Sequence, residues 1–413
     1  MIQLRDYQER IATKAAEKLR RYGCCYLSME CRTGKTITAL SVADLFMAKS
    51  VLFISKLKAI PSIKADYESV QPIYAMDVIN YESAHKASGE YDLIILDEAH
   101  SLGAYPKPSK RTKAVKELCE GIPVLYLSGT PSPESYSQLY HQFWVCDASV
   151  WSKYKTFYKW ARAGYVNIHQ RHVNGFTIND YSDANKRMID ADVSHLFISY
   201  SQEQAGFCTN IIEHVETVPM KPKTRGLIET LRRDKVANIN GETILGASPA
   251  TLLTKLHQLS SGTIICENGA LFVFDDSKAE YIKSNFSGKL AIFYVYQQEF
   301  ELLKQTFPNW TDSPEIFQAS ADKVFISQVR RAREGVRLDS ADALIFYNLE
   351  YSYLSYEQGK NRLVSKERTT PADVYFLCSD CGIEHSILEA VHGKMDFTLS
   401  YFYKTKRNER QTP

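Results

Sequence analysis

Three short stretches in the first half of the chain are wholly apolar and stop abruptly: Val51-Leu52-Phe53-Ile54, Leu93-Ile94-Ile95-Leu96 and Val124-Leu125-Tyr126-Leu127. Cys25-Tyr26-Leu27-Ser28 is a fourth strand candidate. Compact apolar runs bounded by polar residues read as strands buried on both faces. Between them apolar positions recur at helical spacing: Ile11, Ala15, Ala16 and Leu19 within 7–20, then Ile37, Leu40, Ala43 and Leu45, with a further helical stretch around 110–120. Strand and helix in alternation predict a parallel, doubly wound sheet. The same rhythm returns with Leu290-Ala291-Ile292-Phe293-Tyr294, a helix over 298–307, Val324-Phe325-Ile326-Ser327, Ala343-Leu344-Ile345-Phe346-Tyr347 and Val374-Tyr375-Phe376-Leu377. The fold class is therefore α/β, with two doubly wound parallel sheets in tandem.

The middle follows neither period. Residues 135–215 interleave aromatics with bases, as in Trp151-Ser152-Lys153-Tyr154-Lys155 and Tyr158-Lys159-Trp160. Such a composition suits single-stranded nucleic acid, through stacking and phosphate attraction. It suits equally a small helical insertion whose aromatics form its own core, and that is the preferred reading. Asn174-Gly175 suggests a hairpin tip, and His169, Arg171 and His172 an exposed turn. Residues 220–260 look mostly helical, through Leu227, Ile228 and Leu231, then Leu252, Leu253, Leu256 and Leu259, with Gly241 and Gly246 between. The expected domains are 1–148, an inserted, mainly helical aromatic and basic segment 149–215, and 216–413.

Ligands of parallel sheets sit beyond the carboxyl ends of the strands, and the polar residues there form a set. The first candidate strand runs into Met29-Glu30-Cys31-Arg32-Thr33-Gly34-Lys35-Thr36, a phosphate loop opening a helix. Its backbone around Arg32, Thr33 and Gly34 can cradle phosphates, Lys35 reaches the terminal ones, and Thr36 can ligate Mg²⁺. Met29 stands where the full pattern has its first glycine. Leu93–Leu96 runs into Asp97-Glu98-Ala99-His100: Asp97 can hold Mg²⁺ and Glu98 can orient and deprotonate an attacking water. Val124–Leu127 runs into Ser128-Gly129-Thr130. His100, Ser128 and Thr130 suit coupling of nucleotide state to domain movement. ATP and Mg²⁺ are the implied ligands.

The second sheet has no phosphate loop, but it offers arginines in Arg330-Arg331-Ala332-Arg333-Glu334-Gly335-Val336-Arg337 and in Gln358-Gly359-Lys360-Asn361-Arg362. That combination makes sense where ATP binds between domains and an arginine reaches the transition state across a closing cleft.

Across 413 residues the formal net charge is only +2, so any basic surface is local. No apolar run approaches a membrane span, and the N-terminus does not read as a signal peptide. Nine scattered cysteines fit reduced thiols in a cytoplasm. Cys378-Ser379-Asp380-Cys381 lacks the second pair a zinc site needs.

Taken in order, these motifs resemble a superfamily 2 helicase-type ATPase of the DEAH-box, Swi/Snf-like kind. Motif I is Thr33-Gly34-Lys35-Thr36, motif II Asp97-Glu98-Ala99-His100 and motif III Ser128-Gly129-Thr130. Leu4-Arg5-Asp6-Tyr7-Gln8 resembles the glutamine motif, which would make Gln8 the adenine reader, and Val78-Ile79-Asn80-Tyr81-Glu82 resembles the Ib region. Leu290–Phe293 is similar to motif IV, Glu334–Leu338 to motif V and Tyr356–Arg362 to motif VI. The resemblance implies two RecA-like domains, with Gln358 and Arg362 facing the nucleotide cleft and Gly335 at the motif V turn. The family's second motif VI arginine falls on Ser365, so Arg362, Lys366 and Arg368 all remain candidates for the finger. Arg330, Arg331, Arg333 and Arg337, in place of a glycine-rich motif V start, are candidates for holding DNA phosphates or setting the closed state.

The implied activity is an ATP-driven DNA helicase or translocase. Its compact length is similar to the short helicase-like ATPases of bacteriophages and prophages, which points to replication, recombination or repair in a bacterial cytoplasm. DNA is the expected partner, with a single-strand-binding protein or replisome component as a second class. The alternatives are an RNA-directed or duplex-remodelling motor, a nucleic-acid-binding scaffold with a decayed ATPase, and a partner-activated loader.

Overall fold

Strand β1 (Cys24–Met29) runs through the first domain between two parallel neighbours, and the sheet is built outward from it. The computed structural model describes residues 4–173, 176–207, 209–332 and 336–393. The other strands of this sheet are β2 (Ser50–Ser55), β3 (Ala75–Asn80), β4 (Leu93–Asp97), β5 (Val124–Leu127) and β6 (Phe197–Tyr200). Their order is β3-β2-β4-β5-β1-β6, every pair parallel. Helix α1 (Asp6–Tyr22) precedes β1 and α2 (Lys35–Phe46) follows it. In β1, β2, β4 and β5 successive residues point to opposite faces, yet nearly all are fully buried. Cys24, Tyr26, Leu52, Ile54, Ile94, Leu96, Val124 and Tyr126 belong to one core. Their alternates, such as Cys25, Leu27, Phe53, Ile95 and Leu125, are as completely covered on the other face. Burial on both faces is why these strands read as unbroken apolar runs.

The second sheet contains β7 (Ile211–Val218), β8 (Leu290–Tyr294), β9 (Trp310–Thr311), β10 (Val324–Gln328), β11 (Ala343–Phe346) and β12 (Ala372–Ser379). It too is parallel throughout, in the order β9-β10-β8-β11-β12-β7. Two separate cores flank it. Ala291, Phe293, Phe325, Leu344, Phe346 and Phe376 face one, and Leu290, Ile292, Ile326, Ala343, Ile345 and Leu377 the other. The tandem pair of doubly wound sheets is thus as expected.

The domain boundaries differ from the expectation. The chain divides at Gly206/Phe207 into two units, and residues 149–206 lie within the first. Phe197–Tyr200 pairs in register with Tyr26–Met29, adding β6 to the first sheet. Trp151, Phe157, Trp160, Tyr165 and Tyr181 share the core that holds Tyr126 and Phe143. Trp160 stacks on Tyr165 at 5.0 Å, while Trp151 Nε1 and Tyr165 OH both donate to Asp192 Oδ2, at 2.8 and 2.5 Å. The aromatics therefore pack inward, as the preferred reading had it, but into the core of the first domain rather than one of their own. Nor is the segment mainly helical. Helices Phe157–Trp160 and Lys186–Val193 flank an antiparallel hairpin of His169–Val173 and Phe176–Asp180. His169 is thus in a strand rather than a turn, and Asn174-Gly175 lies outside the described residues. Residues 211–218 in turn belong to the second sheet.

Eight of the cysteines are described and all are free, Cys378 and Cys381 included. No group of three or more potential metal ligands occurs among the described residues, and no described helix is long and apolar enough to cross a membrane.

The second domain encloses one ion pair completely. Lys278 and Glu384 have 0% side-chain exposure. Lys278 Nζ donates to Glu384 Oε1 at 2.8 Å, Leu377 O at 2.9 Å and Tyr347 O at 3.1 Å, and Glu384 Oε2 accepts from Ser379 Oγ at 2.8 Å. Removing one partner strands a buried charge, whereas replacing both with apolar groups removes the desolvation penalty as well. Lys278→Ala should therefore lower unfolding free energy by about 3–5 kcal/mol, and the Lys278→Met/Glu384→Leu pair should recover most of it. Chemical denaturation measures both; a Lys278→Ala loss below about 1 kcal/mol would contradict a dry, obligatory pair.

Candidate functional site

The polar residues that end β1, β2, β4 and β5 share the carboxyl edge of the first sheet. The phosphate loop leaves β1 at Met29 and enters α2 through Gly34, whose φ of 78° and ψ of 36° lie in the left-handed region. The backbone there favours glycine, and a Cβ would meet Gln8 Nε2 at 2.5 Å and displace that side chain from the loop. Arg32 also has positive φ, 63°. Lys35 Nζ donates to Met29 O at 2.8 Å and Glu30 O at 3.3 Å, holding the ammonium over the loop. Gln8, 5% exposed, accepts from Arg5 N and donates to Gly34 O at 3.3 Å.

Asp97 Oδ2 accepts from Ser55 Oγ at 2.6 Å, and Asp97 O accepts from Tyr81 OH at 2.6 Å. Glu98 follows with φ 50° and ψ 45°, a left-handed conformation costing a non-glycine residue about 1–3 kcal/mol. Such strain is characteristic of functional positions, where the surroundings over-determine it. Here the turn delivers Glu98 beside His100, whose Nδ1 lies 3.1 Å from Glu98 Oε2 and 3.0 Å from Ser128 Oγ. Only the second contact is aligned as a hydrogen bond, and Glu98 Oε2 has no hydrogen-bond partner among the described residues. Ser128 Oγ accepts in turn from Thr130 N at 3.1 Å, so it closes a local turn rather than capping a helix. Thr130 Oγ1 is likewise buried without a partner among the described residues.

Two adjacent carboxylates in this setting cannot titrate alike. Burial, then the charge of Glu98, pushes Asp97 up to about 6, against the pull of Ser55 and Lys35. Burial acts on Glu98 in the same direction, but His100, Lys35 and Lys56 outweigh it and hold Glu98 below the ordinary carboxylate range. The pair is thus polarised, with Glu98 the firmly ionised member.

Gly129, named in the sequence within Ser128-Gly129-Thr130 but given no role, has one: a Cβ on it would lie 3.3 Å from Met29 O and 3.5 Å from Lys35 Nζ. It lets β5 approach the loop. Ser55, and the contact of Tyr81 with Asp97, were missed; the sequence marks Tyr81 only within the Ib-like segment. Ser55 directly follows Val51–Ile54, the same polar-after-apolar signal that marked Asp97 and Ser128, and could have been found. Nothing local marks Tyr81 as an Asp97 partner.

The second-domain candidates are placed differently. Arg362 is 7% exposed, with Nε donating to Gln358 O at 2.8 Å and Nη1 to Val336 O at 3.4 Å, while Arg362 O accepts from Leu338 N. It joins the two motif-bearing segments of its own domain. Gln358 is 5% exposed, and its Oε1 lacks a hydrogen-bond partner among the described residues. Arg368 donates to the carbonyls of Asp339, Ala341, Thr370 and Pro371, which leaves it poorly suited to replace a finger. Ser365 Oγ accepts from Arg368 N. Arg330, Arg331 and Arg337 are exposed, and each faces a carboxylate: Glu350, Asp312, and Asp339 with Glu367. Arg331–Asp312 is exposed on both sides, and such a pair is worth little, so a phosphate could replace that acid at small penalty; the Glu350 and Asp339 side chains are 4% and 9% exposed, and each depends on its arginine. Arg333 and Gly335 lie outside the described residues.

No family model matches the chain, and a search of curated proteins finds no match. Among solved structures it is similar to the SWI2/SNF2 ATPase core domain of Sulfolobus solfataricus, at 15% identity and a TM-score of 0.41, covering 95% of this chain and 89% of that one.

The raised Asp97 sets a pH dependence. Its folded value, about 6, lies above the ordinary carboxylate value of about 3.9. The folded state thus binds that proton more tightly, and stability is lost as pH rises from about 4 to 6. Asp97→Asn removes the loss. The variant should gain on wild type across that window, by on the order of a few degrees in Tm, and hold the gain above it. Thermal melts in chelator from pH 4 to 8 measure this; a difference that does not change with pH would show that Asp97 is unperturbed.

Proposed function

We propose that the protein is an ATP hydrolase of the superfamily 2 helicase type, with two RecA-like domains, and that hydrolysis drives its movement on DNA. The observation that carries this is the meeting, at one sheet edge, of a lysine-bearing phosphate loop, a polarised Asp97–Glu98 pair and the Ser128–Thr130 turn, bridged by His100. The ligand set fits ATP. Positive φ at Arg32 and Gly34 curls the loop backbone into the kind of anion-binding concavity formed by successive N–H groups, at the start of α2. It fits a divalent cation as well: Asp97 is a buried acid, and Glu98 Oε2 has no hydrogen-bond partner among the described residues. Asp97 and Thr36 are the residues we assign to Mg²⁺, which when bound neutralises charge on the phosphate oxygens.

In this reading Lys35 binds the terminal phosphates, while Arg32, Thr33 and Gly34 supply the backbone cradle. Gln8, buried against the loop, is where adenine recognition is assigned. Glu98, ionised at neutral pH, orients the attacking water and takes its proton. His100 touches both Glu98 and Ser128, so a change at the carboxylate is transmitted to the Ser128–Thr130 turn. Gln358 and Arg362 are assigned the second domain's contribution to hydrolysis, together with Gly335. Arg330, Arg331, Arg333 and Arg337 are assigned to DNA phosphates. A scaffold without hydrolysis is disfavoured by the convergence of Lys35, Asp97 and Glu98 at one sheet edge, more than nucleotide-independent binding requires.

Steady-state ATP hydrolysis with no nucleic acid, single-stranded, duplex and forked DNA, and RNA tests the proposal. Wild type should hydrolyse ATP and be stimulated by DNA. Lys35→Ala and Glu98→Gln should each lower turnover by about 10²-fold or more, as loss of one preorganised electrostatic group does elsewhere, with Glu98→Gln still binding ATP. Turnover equal to wild type in either variant would remove the site assignment, and stimulation by RNA alone would redirect the choice of track.

A further inference from the structure

The phosphate loop lacks the first glycine of its pattern, and Met29 at that position is wholly buried. Something else must fix the loop's course, and three of its carbonyls show what does. Cys31 O accepts from Gln202 Nε2 at 2.9 Å and Thr33 O from Tyr7 OH at 3.0 Å, while Gly34 O accepts from Thr38 N in the first turn of α2 at 3.0 Å and from Gln8 Nε2 at 3.3 Å. In a trans peptide the C=O and the following N–H point in opposite directions. Holding these carbonyls from outside therefore turns the N–H groups of Arg32, Gly34 and Lys35 to the other side, where an anion would be bound. We propose that Gln202 and Tyr7 are positioning residues of the nucleotide loop, forming a carbonyl clamp that replaces the missing glycine as the means of preorganising its N–H groups.

Gln202 is well built for this. Strand β6 ends with Tyr200 paired to Met29, and the ladder continues as Glu30 N donates to Tyr200 O at 3.0 Å. Gln202 N then donates to Glu30 Oε2 at 2.7 Å, which ties down the one acidic side chain of the loop. The segment is closed on itself: Ser201 N donates to Gln204 Oε1, Gln204 N to Ser201 Oγ, and Tyr200 OH to Gln204 O at 2.8 Å. Tyr200 also stacks on Tyr7, with ring centroids 4.5 Å apart and planes 15° from parallel. The two clamp arms, from α1 and from the last residues of the first domain, thus brace each other across the loop.

The proposal rests on the ATP reading above, and the test separates the two. Affinity for a fluorescent N-methylanthraniloyl ATP is measured together with KM, kcat and Tm for wild type, Lys35→Ala, Tyr7→Phe, Gln202→Ala and Gln202→Glu. Tyr7→Phe keeps the stacked ring and loses only the hydroxyl; Gln202→Glu keeps the size and loses the donor. Each should weaken nucleotide binding by about three- to ten-fold, the worth of one hydrogen bond. KM should rise in step, with kcat and Tm near wild type. Gln202→Glu binding as tightly as wild type would overturn the clamp, as would a fall in kcat at unchanged KM. Wild-type binding that Lys35→Ala abolishes and Gln202→Ala leaves intact would remove the clamp alone. A folded wild type that binds no ATP analogue would remove both readings.

Discussion

Burial of both sheet faces is the constraint from which the rest follows. In β1, β4 and β5, as in β8 and β11, side chains on either face meet a packed core, so a polar side chain has nowhere to go within the strand. Parallel strands place all their carboxyl ends at one edge. Polar residues excluded from the strands therefore collect there, from Lys35, Asp97 and Ser128, far apart in sequence. The apolar packing does not merely support the site; it selects its position.

Once collected, those groups constrain one another. Asp97 is oriented by Ser55 and Tyr81, and its charge is disfavoured by burial and by Glu98. Glu98 in turn is kept ionised by the cations around it, in a backbone conformation that side-chain residues seldom adopt. His100 lies within reach of both Glu98 and Ser128. The consequence is that two neighbouring carboxylates titrate apart, set by their surroundings, with Asp97 keeping its proton to higher pH and Glu98 ionised throughout.

Much of this was legible in the sequence because the signals were local. The strands at 51–54, 93–96, 124–127 and 290–294 are continuous apolar runs, and the motifs sit directly after them. What escaped notice lacked a local signal. Phe197-Ile198-Ser199-Tyr200 is only four residues long, partly exposed and half polar, so β6 carries too little apolar contrast to be read. Ile211–Val218 is a sheet edge, where alternate residues meet solvent, and its Glu213, His214 and Glu216 hide the strand. The middle aromatics could be counted, but which way they face depends on Phe143 and Tyr126, set by tertiary packing. Gln202 could not have been found: it matters only through a loop about 170 residues earlier.

That separation bears on how the molecule is made. β1 acquires one neighbour from residues 124–127 and the other from 197–200. Until the later segment has emerged from the ribosome, Tyr26–Met29 borders an open sheet edge, the kind of surface that recruits stray strands. Contacts across so long an interval close slowly. The loop after β1 is thus synthesised well before it can be completed, and a nascent chain halted near residue 150 would display its motif without the strand that finishes it.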